Sequence, residues 1–439
     1  MSTFQALYAA KLTSPETAVA AIPSGAHISM GMALSEPPAL LNALAERVSA
    51  RELVDLHLWY FHSLPHAGAS LLRYELLDRV KPHCMFLGAI ERGLMARGEK
   101  DGRHVLDFVP VAFSASSKLL STDVDIDTFV VTVSPMDRHG WFTFGTGNDY
   151  ASTVARSARR LIVEVNRHMP RVFGDSLLHV SEVDAIVEHD APLLESPVHD
   201  IDPADAEIGR IVAGMIPDGA CLQMGIGALP NSVCAQLGDR KDLGIHTELL
   251  TPGLTDLIAK GVVTNRMKAT YPGRSVFTFA LGDRALYDLL DDNPSMNSLP
   301  VQVVNDPRHI GKNDKVVSVN ATLQIDLSGA CNSEHMLGRQ YSGAGGQLDF
   351  VRGAAVSRGG MSIIACQSTA RDGAISRIVP ALTGPVTTPR NDTQVVVTEH
   401  GWADLRGKSV AERATAIIAL ADPAFRDDLS RAAREQALI

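Results

Sequence analysis

Short β-branched runs alternate along this chain with alanine-rich stretches whose apolar residues recur at helical spacing. Thr128 to Val133, Leu161 to Val165, Ala185 to Val187, Val301 to Val304, Met361 to Ala365 and Gln394 to Val397 read as strands. Strands interleaved with helices in this way predict an α/β fold with open, mainly parallel sheets. A ten-residue pattern also recurs: Ile22-Pro-Ser-Gly-Ala-His-Ile-Ser-Met30-Gly31 resembles Ile216-Pro-Asp-Gly-Ala-Cys-Leu-Gln-Met224-Gly225. Each copy reads as a tight Pro/Gly turn, a buried strand, a glycine loop and a helix that begins near a proline, Pro37 or Pro230. The expectation is two similar α/β domains related by internal duplication. The polar segment from Glu195 to Asp205 precedes the second copy and serves as the linker, which places the domains at residues 1–200 and 201–439.

A chain of 439 residues with 45% hydrophobic and 21% charged positions is globular in composition and too long for one ordinary core. Its formal net charge of -10, without a run of Lys or Arg, excludes a nucleic-acid partner from the expectations. No segment reaches the roughly 18 to 20 apolar residues that cross a bilayer, so no membrane partner is expected. The start of the chain lacks an apolar run of signal-peptide length and carries Glu16 and Glu36, unlike a transit peptide, so a cytoplasmic location is expected. The five cysteines are widely spaced without C-x-x-C, which points to neither a disulfide framework nor a zinc knuckle.

Candidate chemistry concentrates in the second half. The strand ending at Met224 leads into Gly225-Ile-Gly-Ala-Leu-Pro230, with a helix expected from about Asn231 to Leu237. Such a turn exposes backbone N–H groups beside a helix N-terminus, which suits a phosphate or a developing oxyanion. The third glycine of a dinucleotide loop is missing, and a simple tight turn is the plain alternative. Asp242-Leu-Gly-Ile-His-Thr-Glu248 is a short strand ending in a carboxylate before Thr251-Pro252-Gly253 breaks the chain. Ligands of open α/β sheets bind outside the carboxyl ends of strands, so Glu248 stands where it can react, although a solvated rim residue would look the same. His246 and Glu248 form H-x-E without the P-C-x-x-C of a zinc deaminase, and Pro65 interrupts the pair His62 and His66, so no metal site is expected. Farther on, Ser342-Gly-Ala-Gly-Gly346 packs three glycines before another helical stretch, allowing close approach of a ligand or simply a flexible turn.

These motifs, with Val304-Asn-Asp-Pro307, Ser376-Arg-Ile-Val-Pro380 and Val397-Thr-Glu-His-Gly-Trp-Ala-Asp-Leu-Arg406, occur in the order seen in the acetyl-CoA hydrolase and CoA-transferase family. Val133-Ser-Pro-Met-Asp-Arg-His-Gly140 and Glu164-Val-Asn-Arg-His-Met-Pro170 in the first half agree. The resemblance runs from about Ile22 to Arg406 and is closest to 4-hydroxybutyrate and itaconate CoA-transferases. It implies two domains of the CoA-transferase type. It implies that Glu248 is the nucleophile, that the side-chain amide of Asn305 helps an oxyanion hole, and that Gly225, Ile226, Gly227, Ala228 and Leu229 line the CoA thioester. Ser342, Gly346 and Arg371 would contact CoA, with Arg371 at a position where some relatives carry Lys. No tightly bound cofactor is implied: coenzyme A is a substrate, transiently attached to Glu248. The partners implied are an acyl-CoA, a small carboxylate and a second copy of the chain, as a homodimer or a dimer of dimers.

Such a site would move CoA from succinyl-CoA or acetyl-CoA to a short acid, with itaconate as first choice of acceptor and 4-hydroxybutyrate or acetate as alternatives. Two other readings stay open. On the same fold, water could resolve the intermediate and make the protein an acyl-CoA hydrolase. In a different class, the loops could serve a non-catalytic acyl-CoA sensor. The segments Met30 to Glu36 and Trp59 to His66 are candidates for shaping the acyl pocket and read equally well as core and turn.

Overall fold

The computed structural model describes residues 3–196 and 201–439. The chain forms two units. One runs to Ser196 and takes in Thr278–Val303; the other continues to Phe277 and resumes as Val304–Ile439. The first crossing between the units follows Ser196, residues 197–200 lie outside the described residues, and Thr278–Val303 belongs to the first unit.

Seven strands build the sheet of the first unit: β1 (His27–Met30), β2 (Leu56–Tyr60), β3 (Val80–Cys84), β4 (Asp107–Phe108), β5 (Thr128–Val133), β6 (Arg160–Val165) and β7 (Ala185–Glu188). They lie in the order β7-β6-β5-β1-β2-β3-β4, all parallel. β5 is buried at every position, as a strand covered on both faces must be. Helix α1 (Pro38–Ser49) starts on a proline, where the missing N–H costs no hydrogen bond, and buries Leu40, Leu41, Leu44 and Val48 in one core with Ile28, Leu56 and Leu58.

The second unit carries a six-stranded sheet of β8 (Cys221–Met224), β9 (Gly244–Ile245), β10 (Val316–Ala321), β11 (Met361–Ala365), β12 (Val395–Thr398) and β13 (Gly401–Asp404), in the order β9-β8-β10-β11-β12-β13. Only β13 runs antiparallel, as a hairpin partner of β12. One core of this unit gathers Ile325, Val351, Ile364, Val396, Ile417 and Leu429.

The sequence repeat has a structural counterpart. Gly25 and Gly219 both take positive φ, at 80° and 74°, and Ala26 and Ala220 close the same turn onto Pro23 and Pro217. The strands that follow, β1 and β8, span matching positions of the repeat, and Gly31 and Gly225 both donate to the neighbouring strand, at Val130 and Val319, over 2.9 Å. The two copies thus share a turn, a strand of matching extent and one bond to a neighbouring strand, although β1 is the fourth of seven strands and β8 the second of six.

One predicted strand is a helix. Val301–Val304 forms a single helical turn, with Val303 N–H bonded to Pro300 O at 2.9 Å. Pro300 and Pro307 bracket the run, and Val301 and Val304 are buried while Gln302 is exposed, which is helical rather than alternating spacing. β-branched composition alone cannot distinguish the two states over four residues. The helix after the glycine loop, α2 (Ala228–Ala235), begins three residues before its expected start.

Candidate active site

The parallel strands of the second unit all end on one edge of the sheet, and the sequence motifs collect there. β9 is two residues long, and the chain turns just beyond it at Glu248. Its neighbour β8 opens into Gly225, Ile226 and Gly227, the last with φ 116° as the residue preceding α2. No L-residue adopts that conformation comfortably, so glycine is required there by the backbone. Ile226 is 61% exposed, whereas Leu229 is buried in α2. Beneath the loop, Gln223, Ser318 and Asn320 form a closed buried network: Ser318 Oγ donates to Gln223 Oε1 at 2.6 Å and Asn320 Nδ2 to the same oxygen at 3.1 Å. Satisfied polar groups of this kind hold the strand ends in a single arrangement.

Three of the expected residues touch. Asn305, fully buried, donates from Nδ2 to Glu248 Oε2 at 2.6 Å. Gly346 stands at the N-terminus of helix α3 (Gln347–Val356), and its N–H also donates to the Glu248 carboxylate. A methyl group on Gly346 would lie 1.9 Å from Glu248 Oε2 and 2.1 Å from Asn305 Nδ2. Its φ is an ordinary -103°, so glycine is needed here for space and not for conformation. The α3 dipole adds favourable potential at the carboxylate.

Electrostatics make this carboxyl unusual. Burial pushes Glu248 up to about 7; Asn305 pulls it back, Asp349 raises it further, and the Gly346 N–H lowers it. Part of the residue remains accessible although protein atoms surround its carboxyl. Asp349, on the first turn of α3, also sits 3.4 Å from Asn305 Nδ2. His246 lies two residues before Glu248, fully enclosed, and burial draws its imidazole down to about 3. It is therefore neutral at physiological pH, and its Nε2–H donates to Val304 O at 2.8 Å, fixing the peptide next to Asn305.

Ser342 begins the glycine segment that ends at Gly346, and its hydroxyl donates to Ser333 O at 3.2 Å. Arg371 stands on a hairpin that leaves the carboxyl end of β11, two strands along from β8, and is exposed with φ 53°. It shares the sheet edge with Glu248 but is not in contact with it in the hydrogen bonds of the site. Among the described residues no group of three His, Cys, Asp or Glu side chains could hold a metal ion, and all five cysteines are buried and unpaired.

Two family models match the chain: the acetyl-CoA hydrolase/transferase N-terminal domain over residues 2–195 and the C-terminal domain over residues 282–433. The chain belongs to the acetyl-CoA hydrolase/transferase family. Glu248 and its glycine loop fall between the two matched spans. The succinyl-CoA:cyclohexane-1-carboxylate CoA transferase of Geobacter metallireducens is 41% identical, with 97% of this chain and 96% of the relative covered. The crystal structure of RipA from Yersinia pestis superposes with a TM-score of 0.97 at 58% identity and full coverage of both chains. That of a 4-hydroxybutyrate CoA-transferase from Porphyromonas gingivalis superposes with 0.83 at 34% identity, covering 99% of this chain and 100% of that one. Within this acetyl-CoA hydrolase/transferase family the chain is an enzyme of the CoA-transferase class, and its two parallel-sheet units have the family's fold.

The sequence reading missed Asp349 and set His246 aside with the discarded zinc motif. The only signal for either was proximity to a glycine segment or to Glu248, which residue type alone does not convert into a role.

Proposed function

We propose that this CoA-transferase moves CoA from succinyl-CoA or acetyl-CoA to a short carboxylic acid, with Glu248 as the covalent nucleophile. The observation that carries this reading is the contact of the Glu248 carboxylate with the Asn305 amide and the Gly346 N–H at the carboxyl end of β9. One Glu248 oxygen attacks the thioester carbonyl, the C–S bond breaks, and CoA leaves as thiolate from a mixed anhydride. The thiolate then attacks Cδ of Glu248, expelling the first acid as its carboxylate and leaving a glutamyl-CoA thioester. The incoming carboxylate attacks the same carbon and releases thiolate. Attack of that thiolate on the new acyl carbonyl restores the Glu248 carboxylate.

Each attack on Cδ places negative charge on a Glu248 oxygen, and Asn305 Nδ2 already donates to Oε2 while the Gly346 N–H favours the charged carboxylate. Donors preorganised in this way are worth about 100- to 1,000-fold each. The loop from Gly225 to Ala228 supplies N–H groups for the oxyanion on the substrate side, and Ser342 and Arg371 contact CoA. The 4-hydroxybutyrate specificity named for one relative supports an acid of about this size. Itaconate is the first acceptor to test with succinyl-CoA as donor, and a cytoplasmic homodimer or dimer of dimers is the expected form.

Incubation with acyl-CoA alone should leave a CoA mass adduct on the peptide carrying Glu248, removable by hydroxylamine, and initial rates should follow ping-pong kinetics. Sequential kinetics without an adduct, or a Glu248→Ala variant as active as wild type, would overturn the mechanism. CoA release independent of added carboxylate would instead identify a hydrolase.

A further inference from the structure

Beside the nucleophile's strand lies a lysine that the chemistry above does not use. Lys268 is 5% exposed, and its Nζ donates to two main-chain carbonyls, Ile245 O and Arg274 O, each at 2.7 Å. Buried ammonium groups are costly unless a carboxylate pairs with them, and both of these bonds go to the backbone instead.

The reason is the edge of the sheet. β9 pairs with β8 on one side, and on the other only its flanking residues are bridged, Leu243 to Val263 and His246 to Val276, so the outward main-chain groups of Ile245 between them meet no backbone partner. Side chains of the segment 265–275 take that partner's place. Asn265, at φ 56°, accepts the Ile245 N–H on Oδ1 at 2.8 Å, and Lys268 takes the Ile245 carbonyl. Asn265 is itself held by Ser275 at 3.0 Å. Gly244 makes room for the arrangement, since a Cβ there would lie 2.7 Å from Lys268 Cγ and 2.9 Å from Cδ. The lysine stem thus lies across β9 four residues before Glu248. From Ile245 the chain passes to His246, bonded to Val304 O, and then to Glu248, bonded to Asn305.

We propose that Lys268 is a positioning residue for the transferase reaction: its buried ammonium, clamped between Ile245 O and Arg274 O, fixes the end of β9 and thereby the placement of Glu248 against Asn305 and Gly346. The inference rests on Glu248 being the nucleophile. Two titratable groups face the ammonium, the Cys221 thiol of β8 and the neutral His246 imidazole, and burial draws the ammonium down to about 8. Charge-assisted bonds are stronger than neutral ones, so the clamp is tightest below that pH.

The test is kcat and KM for acyl-CoA between pH 6 and 10 in wild type, Lys268→Met and Gly244→Ala, beside Glu248→Ala. A displacement of about 1 Å at a reacting group costs on the order of 100-fold. Lys268→Met should therefore lose at least tenfold in kcat, with KM for acyl-CoA within twofold of wild type. The acid limb of its pH profile should move to higher pH, because Glu248 loses the alignment of the donors that hold its carboxyl down. Gly244→Ala displaces the lysine stem without removing its charge and should shift both readings in the same direction to a smaller extent. Lys268→Met with kcat within twofold of wild type, or with an unmoved acid limb, overturns the proposal. If Lys268→Met does not fold, Gly244→Ala decides alone, and wild-type kcat in that variant overturns it. An active Glu248→Ala enzyme would sink the nucleophile assignment instead, whereas an inactive one beside a fully active Lys268→Met removes only the lysine's role.

Discussion

Replacing Gly346 by Ala is the sharpest probe of the site, because the structure separates its steric effect from every conformational one. The backbone at Gly346 has φ -103°, which any residue adopts, and alanine at a helix N-terminus costs little beyond the loss of glycine's capping preference. The added methyl, however, would stand 1.9 Å from Glu248 Oε2 and 2.1 Å from Asn305 Nδ2, about 1.5 Å short of ordinary van der Waals contact. Something must retreat. The atoms met are the reacting carboxylate and its donor amide, so the relaxation that relieves the clash breaks their 2.6 Å hydrogen bond. Overpacking of this kind typically costs 1–3 kcal/mol of stability, which a chain this size tolerates. Displacement of reacting groups by about 1 Å costs on the order of 100-fold, and losing one oxyanion donor costs a further 100- to 1,000-fold. Gly346→Ala should thus lower kcat by at least 100-fold, with a cooperative thermal transition retained and CoA still bound. The assay is steady-state transfer combined with mass spectrometry of the Glu248 peptide after exposure to acyl-CoA. Gly227→Ala is the contrasting control: nothing lies within 4 Å of its added carbon, but φ 116° strains any L-residue. Wild-type turnover in Gly346→Ala would refute the steric reasoning outright.

Turnover should fall as pH drops through about 7, because the Glu248 carboxyl titrates there and only its anion attacks. The same raised value means that the folded state binds the extra proton between the unfolded value of 4.5 and about 7, so stability is lost as pH rises through that window. Glu248→Gln should accordingly abolish transfer yet melt no lower than wild type at pH 8. Asp349→Asn removes a neighbouring negative charge and should move the acid limb of the pH profile to lower pH, read from kcat across pH 5 to 8. His246→Phe leaves the Val304 carbonyl without its donor, which should cost about 1–3 kcal/mol in chemical denaturation and lower turnover through Asn305. Arg371→Gly deletes the charge proposed to meet CoA while relieving a positive φ of 53°, so it should raise KM for acyl-CoA without lowering the melting temperature.

Much of this architecture is legible before any coordinates. Thr128–Val133 and Met361–Ala365 are strands with the boundaries predicted for them, because central parallel strands covered on both faces are rich in apolar and β-branched residues. The turns at Gly25 and Gly219 are equally legible, since a Pro-x-Gly turn is a local matter. Glu248 stands out as a carboxylate at the end of a strand, and Asn305 and Gly346 enter through resemblance to a family.

What the residues could not disclose depends on neighbours distant in sequence. Val301–Val304 is helical although its composition favours a strand, because burial at Val301 and Val304 selects helical spacing. Thr278–Val303 joins the first unit through contacts that no local pattern encodes. The need for glycine at position 346 arises from side chains 98 and 41 positions earlier, Glu248 and Asn305. The raised carboxyl of Glu248 and the neutral imidazole of His246 follow from burial, and the lysine beside β9 acquires its partners only when the sheet ends there. Short-range preference determined where strands and turns form. Tertiary packing determined which polar atoms lost water, and loss of water sets both the protonation and the reach of the groups that do the chemistry.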